Sequence, residues 1–126
     1  MKEFDASAST TLQLKRAEYV LRKRLEQVLE AHDLTFEQWQ VLVALLEQPG
    51  LRMTDLAEAA VLPAATLTRH VDRLTERALV IRRIDANDKR RVVVALSGIG
   101  EDLAMRLRET ERAAAVELDA SVPAGR

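Results

Sequence analysis

The chain has 126 residues, and 19 Lys and Arg against 20 Asp and Glu leave a formal net charge of −1. This length suits a single domain, and 48% hydrophobic with 31% charged residues is typical of a globular rather than a disordered chain. Aromatic residues make up only 3%, too few for an all-β fold, and the absence of Cys excludes disulfides, thiolate catalysis, a thiol oxidant sensor and Cys-ligated metals.

The first helix and the segment before it are predicted from polarity and spacing. Residues 1–10 are small and polar, and they lack the hydrophobic stretch of a signal peptide. No apolar segment reaches the roughly 20 residues that span a bilayer, so we expect a cytoplasmic protein with no membrane partner. Apolar residues then recur at three- and four-residue steps over 11–32, which predicts a long helix with one apolar stripe: Leu14, Ala17, Leu21, Leu25, Val28 and Leu29.

Three shorter helices are predicted next. Thr35 and Gln38 have the spacing of a capping box, and the helix that they open ends at Pro49-Gly50. A short helix capped by Thr54 leads to a turn at Val61-Leu62. Pro63 suits the first position of the following helix, which runs from about residue 64 to 77. Its apolar residues Leu67, Val71 and Leu74 are expected to face inward, and Thr66, Arg69, His70 and Arg73 outward.

A β-hairpin and a long last helix complete the predicted order. Residues 79–84 and 92–96 are β-branched runs, separated by a charged stretch rich in turn formers at 85–91. Ser97 is expected to cap a helix that extends to about residue 120 and ends before Pro123-Ala124-Gly125. Two short helices followed by a basic hairpin predict a mainly α (α+β) winged helix-turn-helix. The apolar side of the last helix would carry Ile99, Leu103, Leu107, Ala114 and Leu118.

The charge is distributed unevenly over these elements. Residues 64–91 contain 8 basic and 4 acidic residues, a net +4, whereas residues 1–63 carry −3 and residues 92–126 carry −2. Phosphates respond to the local potential within a Debye length of about 8 Å, so the cationic segment matters more than the total. A solvated charged helix face would give the same count. The cationic segment, however, covers the second helix of the pair and the hairpin, and this position favours a nucleic-acid partner.

The sequence resembles the MarR (multiple antibiotic resistance regulator) family of transcriptional regulators over residues 12–120. The resemblance is densest in residues 67–80 and 85–97, where Asp85, Asp88 and Arg90 form an Asp-x-x-Asp-x-Arg wing motif. It implies one domain over 1–126, with a DNA-binding lobe at 35–96 and dimerisation helices at 11–32 and 97–120. It also implies a homodimeric repressor on a pseudopalindromic operator, released by a small aromatic or anionic effector, with no cofactor and no enzymatic activity.

The resemblance also implies roles for individual residues. Arg90 matches the wing arginine that enters the minor groove, and Asp88 matches the acid that orients it, although Asp88 is also a common turn former. Arg69 and Arg73 would contact bases. They are also spaced at i,i+3 to pair with Asp72 and Glu76, and both interpretations can hold because such pairs preorganise the arginines. The residues expected at DNA are Thr54, Ala64, Thr66, Thr68, Arg69, His70, Arg73, Asp88, Lys89 and Arg90.

The chain departs from the family pattern at three places. Ala78 stands where the family has a left-handed Gly, at a cost of roughly 1 kcal/mol if that geometry is kept. Leu62 replaces a polar N-cap. Family members usually carry a further helix after the one that starts at Ser97. Either the chain is a truncated form, or its dimer rests mainly on residues 11–32 and 97–120.

Other functions find little support in the sequence. No carboxylate spacing around His32 or His70 suggests a metal site, and the segment at 97–100 is a helix start rather than a phosphate loop. Trp39 could line an effector pocket, but a core position with its N–H satisfied is the more common situation. A winged-helix protein-interaction module is the alternative function. It would show acidic or apolar residues on the recognition face, where this sequence has Arg69 and Arg73.

Overall fold

A computed structural model describes residues 9–121, with side chains described for residues 9–115. The fold is mainly α with a two-stranded antiparallel wing, which confirms the predicted winged helix-turn-helix. The predicted Leu118 contact, the lead-in before residue 9 and the Pro123-Ala124-Gly125 end lie outside this description. In chain order the elements are α1 (Thr10–Ala31), α2 (Phe36–Glu47), α3 (Met53–Ala60), α4 (Ala64–Glu76), β1 (Val80–Ile84), β2 (Val92–Leu96) and α5 (Gly98–Ser121).

Helix α2 lies at the centre and contacts α1, α3, α4, α5 and β2. It begins with the predicted capping box, since the Thr35 hydroxyl accepts the Gln38 N–H and the Gln38 side chain accepts the Thr35 N–H, both at 3.1 Å. Full burial of a large apolar side chain contributes about 1.5–3 kcal/mol, so this helix supplies much of the core. Its side chains that are no more than 1% exposed are Trp39, Val41, Leu42 and Leu45.

The helix pair α3–α4 packs on α2 through the residues that the sequence predicts. Leu67, Val71 and Leu74 of α4 are buried, and so are Leu56 and Ala60 of α3. The spacing of these residues leaves the opposite side of α4 open to solvent, as an amphipathic helix requires.

The predicted N-cap of α3 is wrong by two residues, and the predicted place of Pro63 at the start of α4 is wrong by one position. Arg52, not Thr54, is the N-cap of α3, because Leu51 is held in a bridge to Val94 of β2 and the helix begins directly after it. Pro63 is the N-cap of α4 rather than its first helical residue. Neither start has a side-chain cap, while the half-buried Leu62 packs against the core instead of capping.

The end of α4 keeps the left-handed conformation that the family builds with Gly. Ala78 has φ 59°, and the Leu79 N–H donates to the Leu74 carbonyl at 2.9 Å. Because this N–H closes the helix end, β1 begins at Val80, one residue later than predicted. In β1 and β2, Val80 lies opposite Leu96 and Ile84 opposite Val92.

Helix α5 is joined to this turn at its first residues. The Ser97 hydroxyl donates to the Ala78 carbonyl at 2.6 Å and accepts the Gly100 N–H at 3.0 Å, which confirms Ser97 as the cap. Gly100 faces Leu79, so its neighbour Ile99 points to solvent and is 68% exposed, contrary to the prediction. The other described members of the predicted stripe are buried: Leu103, Leu107 and Ala114.

The apolar stripe of α1 is buried only in its C-terminal half. Leu25 and Leu29 are 2% and 4% exposed, whereas Leu14 is 54% exposed. The N-terminal half of the helix therefore presents apolar side chains that the described chain leaves uncovered.

Gly100 is required by the contact between α5 and the turn at Leu79. A Cβ built on Gly100 would lie 1.9 Å from the Leu79 carbonyl oxygen, whereas one on Gly98 meets nothing within 4 Å. We expect Gly100→Ala to lower the free energy of unfolding by about 1–3 kcal/mol. Gly98→Ala, two residues away in the same helix, should raise it by up to about 1 kcal/mol. Urea denaturation of both variants tests this; equal stability of the two would contradict the close approach.

Candidate nucleic-acid interface

The exposed side of α4 carries the predicted recognition residues. Arg69 and Arg73 are exposed, and His70 between them is half-buried. Within residues 9–115 neither arginine forms an ion pair, so the expectation of i,i+3 pairs inside α4 is wrong. Asp72 accepts instead from Arg82 of β1 at 3.1 Å. This pair connects α4 to the wing and leaves the two arginines of α4 available to a ligand.

The remaining predicted residues of the helix pair lie near the two helix starts. Ala64 is the exposed first residue of α4, and the exposed Thr68 donates its hydroxyl to the Ala64 carbonyl at 3.0 Å. Thr66 is half-buried, and Thr54 is exposed in the first turn of α3. With uncapped N-termini, α3 and α4 both present free backbone N–H groups beside these side chains.

Asp88 organises the tip of the wing. Its Oδ1 accepts the backbone N–H of Arg90 at 3.0 Å and the Arg90 Nε at 3.1 Å. Its Oδ2 lies 3.1 Å from the Arg91 Nε. The Arg90 side chain is nevertheless 89% exposed, and Lys89 beside it is exposed as well. The wing therefore presents an oriented arginine, as the motif predicts.

Sequence reasoning missed a polar connection behind α4. Arg22 of α1 donates its Nη2 to the Glu37 Oε2 at 2.9 Å and places its guanidinium carbon 4.5 Å from the Phe36 ring centre. This hydrogen bond is the main reason that the pKa of Glu37 is lowered, and His70 also contributes. These groups come from three helices, and no spacing in the sequence indicates that they lie near one another.

Trp39 occupies the core position rather than a pocket wall. It is 1% exposed, and its Nε1–H donates to the Glu111 Oε2 at 2.9 Å, which satisfies the indole N–H and joins α2 to α5. A cleft of about 400 Å³ lies between the α1–α2 turn and α4, next to Arg73. A second, of about 490 Å³, lies between α1, α2 and the end of α3. Trp39 lines neither cleft.

The described part of the chain contains neither a candidate metal site nor a candidate membrane-spanning helix. Among these residues no three His, Asp or Glu side chains are grouped so that they could hold a metal ion. No described helix combines the length and the apolar composition needed to cross a membrane.

A helix pair with a two-stranded basic wing defines the winged-helix class, and comparison with known proteins gives the family. A sequence model of the MarR family matches residues 32–91. The chain is 33% identical to the HTH-type transcriptional regulator FarR of Neisseria gonorrhoeae over 112 residues, 87% of this chain and 77% of FarR. The crystal structure of NadR with 4-hydroxyphenylacetate superimposes with a TM-score of 0.77 and 31% identity, covering 93% of this chain and 84% of NadR. The chain belongs to the MarR family of transcriptional regulators.

A shorter match has a higher sequence identity. The chain is 43% identical to the transcriptional regulator HosA of Escherichia coli O157:H7 over 74 residues, which are 59% of this chain and 55% of HosA. It therefore spans little more than half the length of this relative.

The hydrogen bonds at the wing tip change the pKa of Asp88, and this change can be measured. Hydrogen bonds from Arg90 are the main reason that the pKa of Asp88 lies below its ordinary value. The carboxylate therefore stays ionised and holds the tip at neutral pH, and this contribution is lost as pH falls through the lowered pKa. Arg90→Ala should raise the pKa of Asp88 in an NMR titration of its carboxyl group. Arg112→Ala, which removes an arginine paired with Glu109 on α5, should leave it unchanged.

Proposed function

We propose that this protein is a DNA-binding transcriptional repressor that acts as a homodimer on a pseudopalindromic duplex. The observation that carries the proposal is the arrangement of cations on one part of the molecule. Arg69 and Arg73 project from the exposed side of α4 without ion pairs in the described chain, and Arg90 projects from a wing tip that Asp88 orders.

The arrangement suits the two grooves of B-DNA. A helix fits the major groove, which is about 12 Å wide, and arginine can hold guanine N7 and O6 in a bidentate contact. An arginine at the wing tip suits a neighbouring minor groove, where the potential is most negative. Preorganisation of Arg90 by Asp88 lowers the ordering cost of this contact. In this arrangement α4 contributes sequence preference, and the wing contributes affinity for any duplex.

Uncovered apolar side chains on the two long helices support a dimer. On α1, Leu12 and Tyr19 are 48% and 63% exposed, and on α5, Ile99 and Met105 are 68% and 47% exposed. Exposed apolar side chains of this kind can form a protein–protein interface when they lie in one patch. A two-fold axis between such helices would place two copies of α4 about 34 Å apart, the length of one turn of DNA.

A small-molecule effector has a candidate site in the cleft between α1, α2 and α3. Its lining is mainly apolar and includes Leu21, Phe36 and Val43, which suits an aromatic ring. The charged side chains of the lining are acidic, Glu18 and Glu47, so an anionic effector fits less well. A ligand that favours another separation of α1 and α3 would shift the population away from the DNA-binding arrangement.

Binding to duplex DNA tests the assignment of α4 and the wing. Fluorescence anisotropy should detect binding to the DNA upstream of the protein's own gene, and random duplex should compete poorly for this binding. Arg90→Ala should weaken binding to every duplex and reduce the slope of log affinity against log salt by about one. Arg73→Ala should instead cost about 1–3 kcal/mol on the specific site and relax its sequence preference.

Arg112→Ala on α5 is the matched control, since it also removes one exposed arginine. Equal salt dependence of the wild type and Arg90→Ala would contradict the wing contact. Failure of the wild type to bind any duplex at low salt would favour the protein-interaction module instead.

If the dimer forms through the apolar surface of α1, a charge placed on that surface should weaken the dimer. Tyr19→Glu should shift the protein from dimer to monomer in sedimentation velocity, because burying an unpaired carboxylate is costly. Its circular dichroism should stay unchanged, since the side chain is 63% exposed in one chain. Glu26→Gln on the same helix serves as a control. A wild type that is monomeric at all concentrations would refute the dimer.

A further inference from the structure

The connection between α1, α2 and α4 places charged groups directly behind the recognition face. Glu37 of α2 is held by the Arg22 hydrogen bond of 2.9 Å, and its side chain is 33% exposed. His70 of α4 is near enough to this carboxylate for its charge to contribute to the lowered pKa of Glu37. An ion pair that belongs to α1 and α2 therefore acts on a residue of the proposed DNA-binding surface.

His70 is only partly solvated and has an unsatisfied ring nitrogen. Its Nδ1 is buried and finds no hydrogen-bond partner in the described chain. The charged groups that act on the ring are Glu37 from α2 and, from its own helix, Arg69 and Arg73. Burial is the first cause that lowers the pKa of His70, the two arginines lower it further, and Glu37 opposes them. Together these causes hold the pKa of His70 below its ordinary value in the free protein, which favours the neutral ring.

Docking of DNA would change this balance. The two arginines that disfavour a charged ring are the same residues that we assign to DNA, so base acceptors would offset their charge and nearby phosphates would add negative potential at the ring. Both effects favour the protonated imidazole. Since coupling between two ligands is reciprocal, DNA that promotes proton uptake must itself bind more tightly where the proton is available.

We propose that His70 takes up a proton when α4 docks on DNA, and that Glu37, positioned by Arg22, supports this uptake. The inference rests on the proposed function, since it concerns the regulation of the same surface. Its consequence is a DNA affinity that rises as pH falls through the range in which the His70 ring titrates. One linked proton gives at most about a tenfold change in affinity for each pH unit.

The test is an anisotropy titration of duplex DNA between about pH 8 and about pH 6 at constant ionic strength, a range in which histidine titrates. Wild-type affinity should rise several-fold toward the acid end. The slope of log affinity against log salt should also become steeper by about 0.9, since one further phosphate is neutralised. A general loss of fold would not produce a steeper slope with tighter binding.

Two variants separate His70 from other sources of pH dependence. In His70→Gln the affinity for DNA should no longer rise between about pH 8 and about pH 6, whatever its value at about pH 8, because no ring is left to take up the proton. His32→Gln removes the only other histidine, which caps α1, and should keep the wild-type profile. With two histidines in the chain, the ring signal of His70 can be assigned in NMR spectra from these variants alone.

Glu37→Gln tests the positioning role, because glutamine can still accept a hydrogen bond from Arg22 but carries no charge. The NMR midpoint of His70 should fall, and the rise in DNA affinity should shift to lower pH. A wild-type profile in His70→Gln or in Glu37→Gln would overturn the corresponding part of the inference while leaving the proposed function intact. No DNA binding by the wild type at any pH would overturn both.

Discussion

The arrangement of this molecule depends on the burial of α2. This helix contacts all four other helices and β2, and its largest apolar side chains have almost no solvent exposure. A helix enclosed in this way cannot move alone, because close-packed interiors transmit displacement instead of absorbing it. A change in the angle of α1 or α5 can therefore reach α3 and α4 through α2.

Polar contacts also join α2 to the helices that it packs against. Glu37 joins it to α1, Trp39 joins it to α5 through Glu111, and Gln40 donates to the Ala60 carbonyl at the end of α3 at 2.8 Å. These contacts connect the long helices α1 and α5 to α2 and, through Ala60, to the helix pair.

Much of the fold follows from local signals that the sequence carries in full. The capping box at Thr35 and Gln38, the apolar spacing of α4 and the strand–turn–strand pattern at 79–96 each need only neighbouring residues, and all are found. The errors share one cause. The start of α3, the exposure of Ile99 and the missing i,i+3 pairs of Arg69 and Arg73 depend on β2, Leu79 and Arg82, which approach only after folding.

Periodicity, turn chemistry and charge are properties of short segments, so the order of elements, the basic segment at 64–91 and the wing motif can be predicted from the sequence alone. Which cations remain unpaired depends on the folded structure. Asp72 pairs with Arg82 and leaves Arg69 and Arg73 unpaired, while Arg22 pairs with Glu37, whose charge acts on His70. These pairings depend on the distances between elements that are far apart in the chain, and packing around α2 sets those distances.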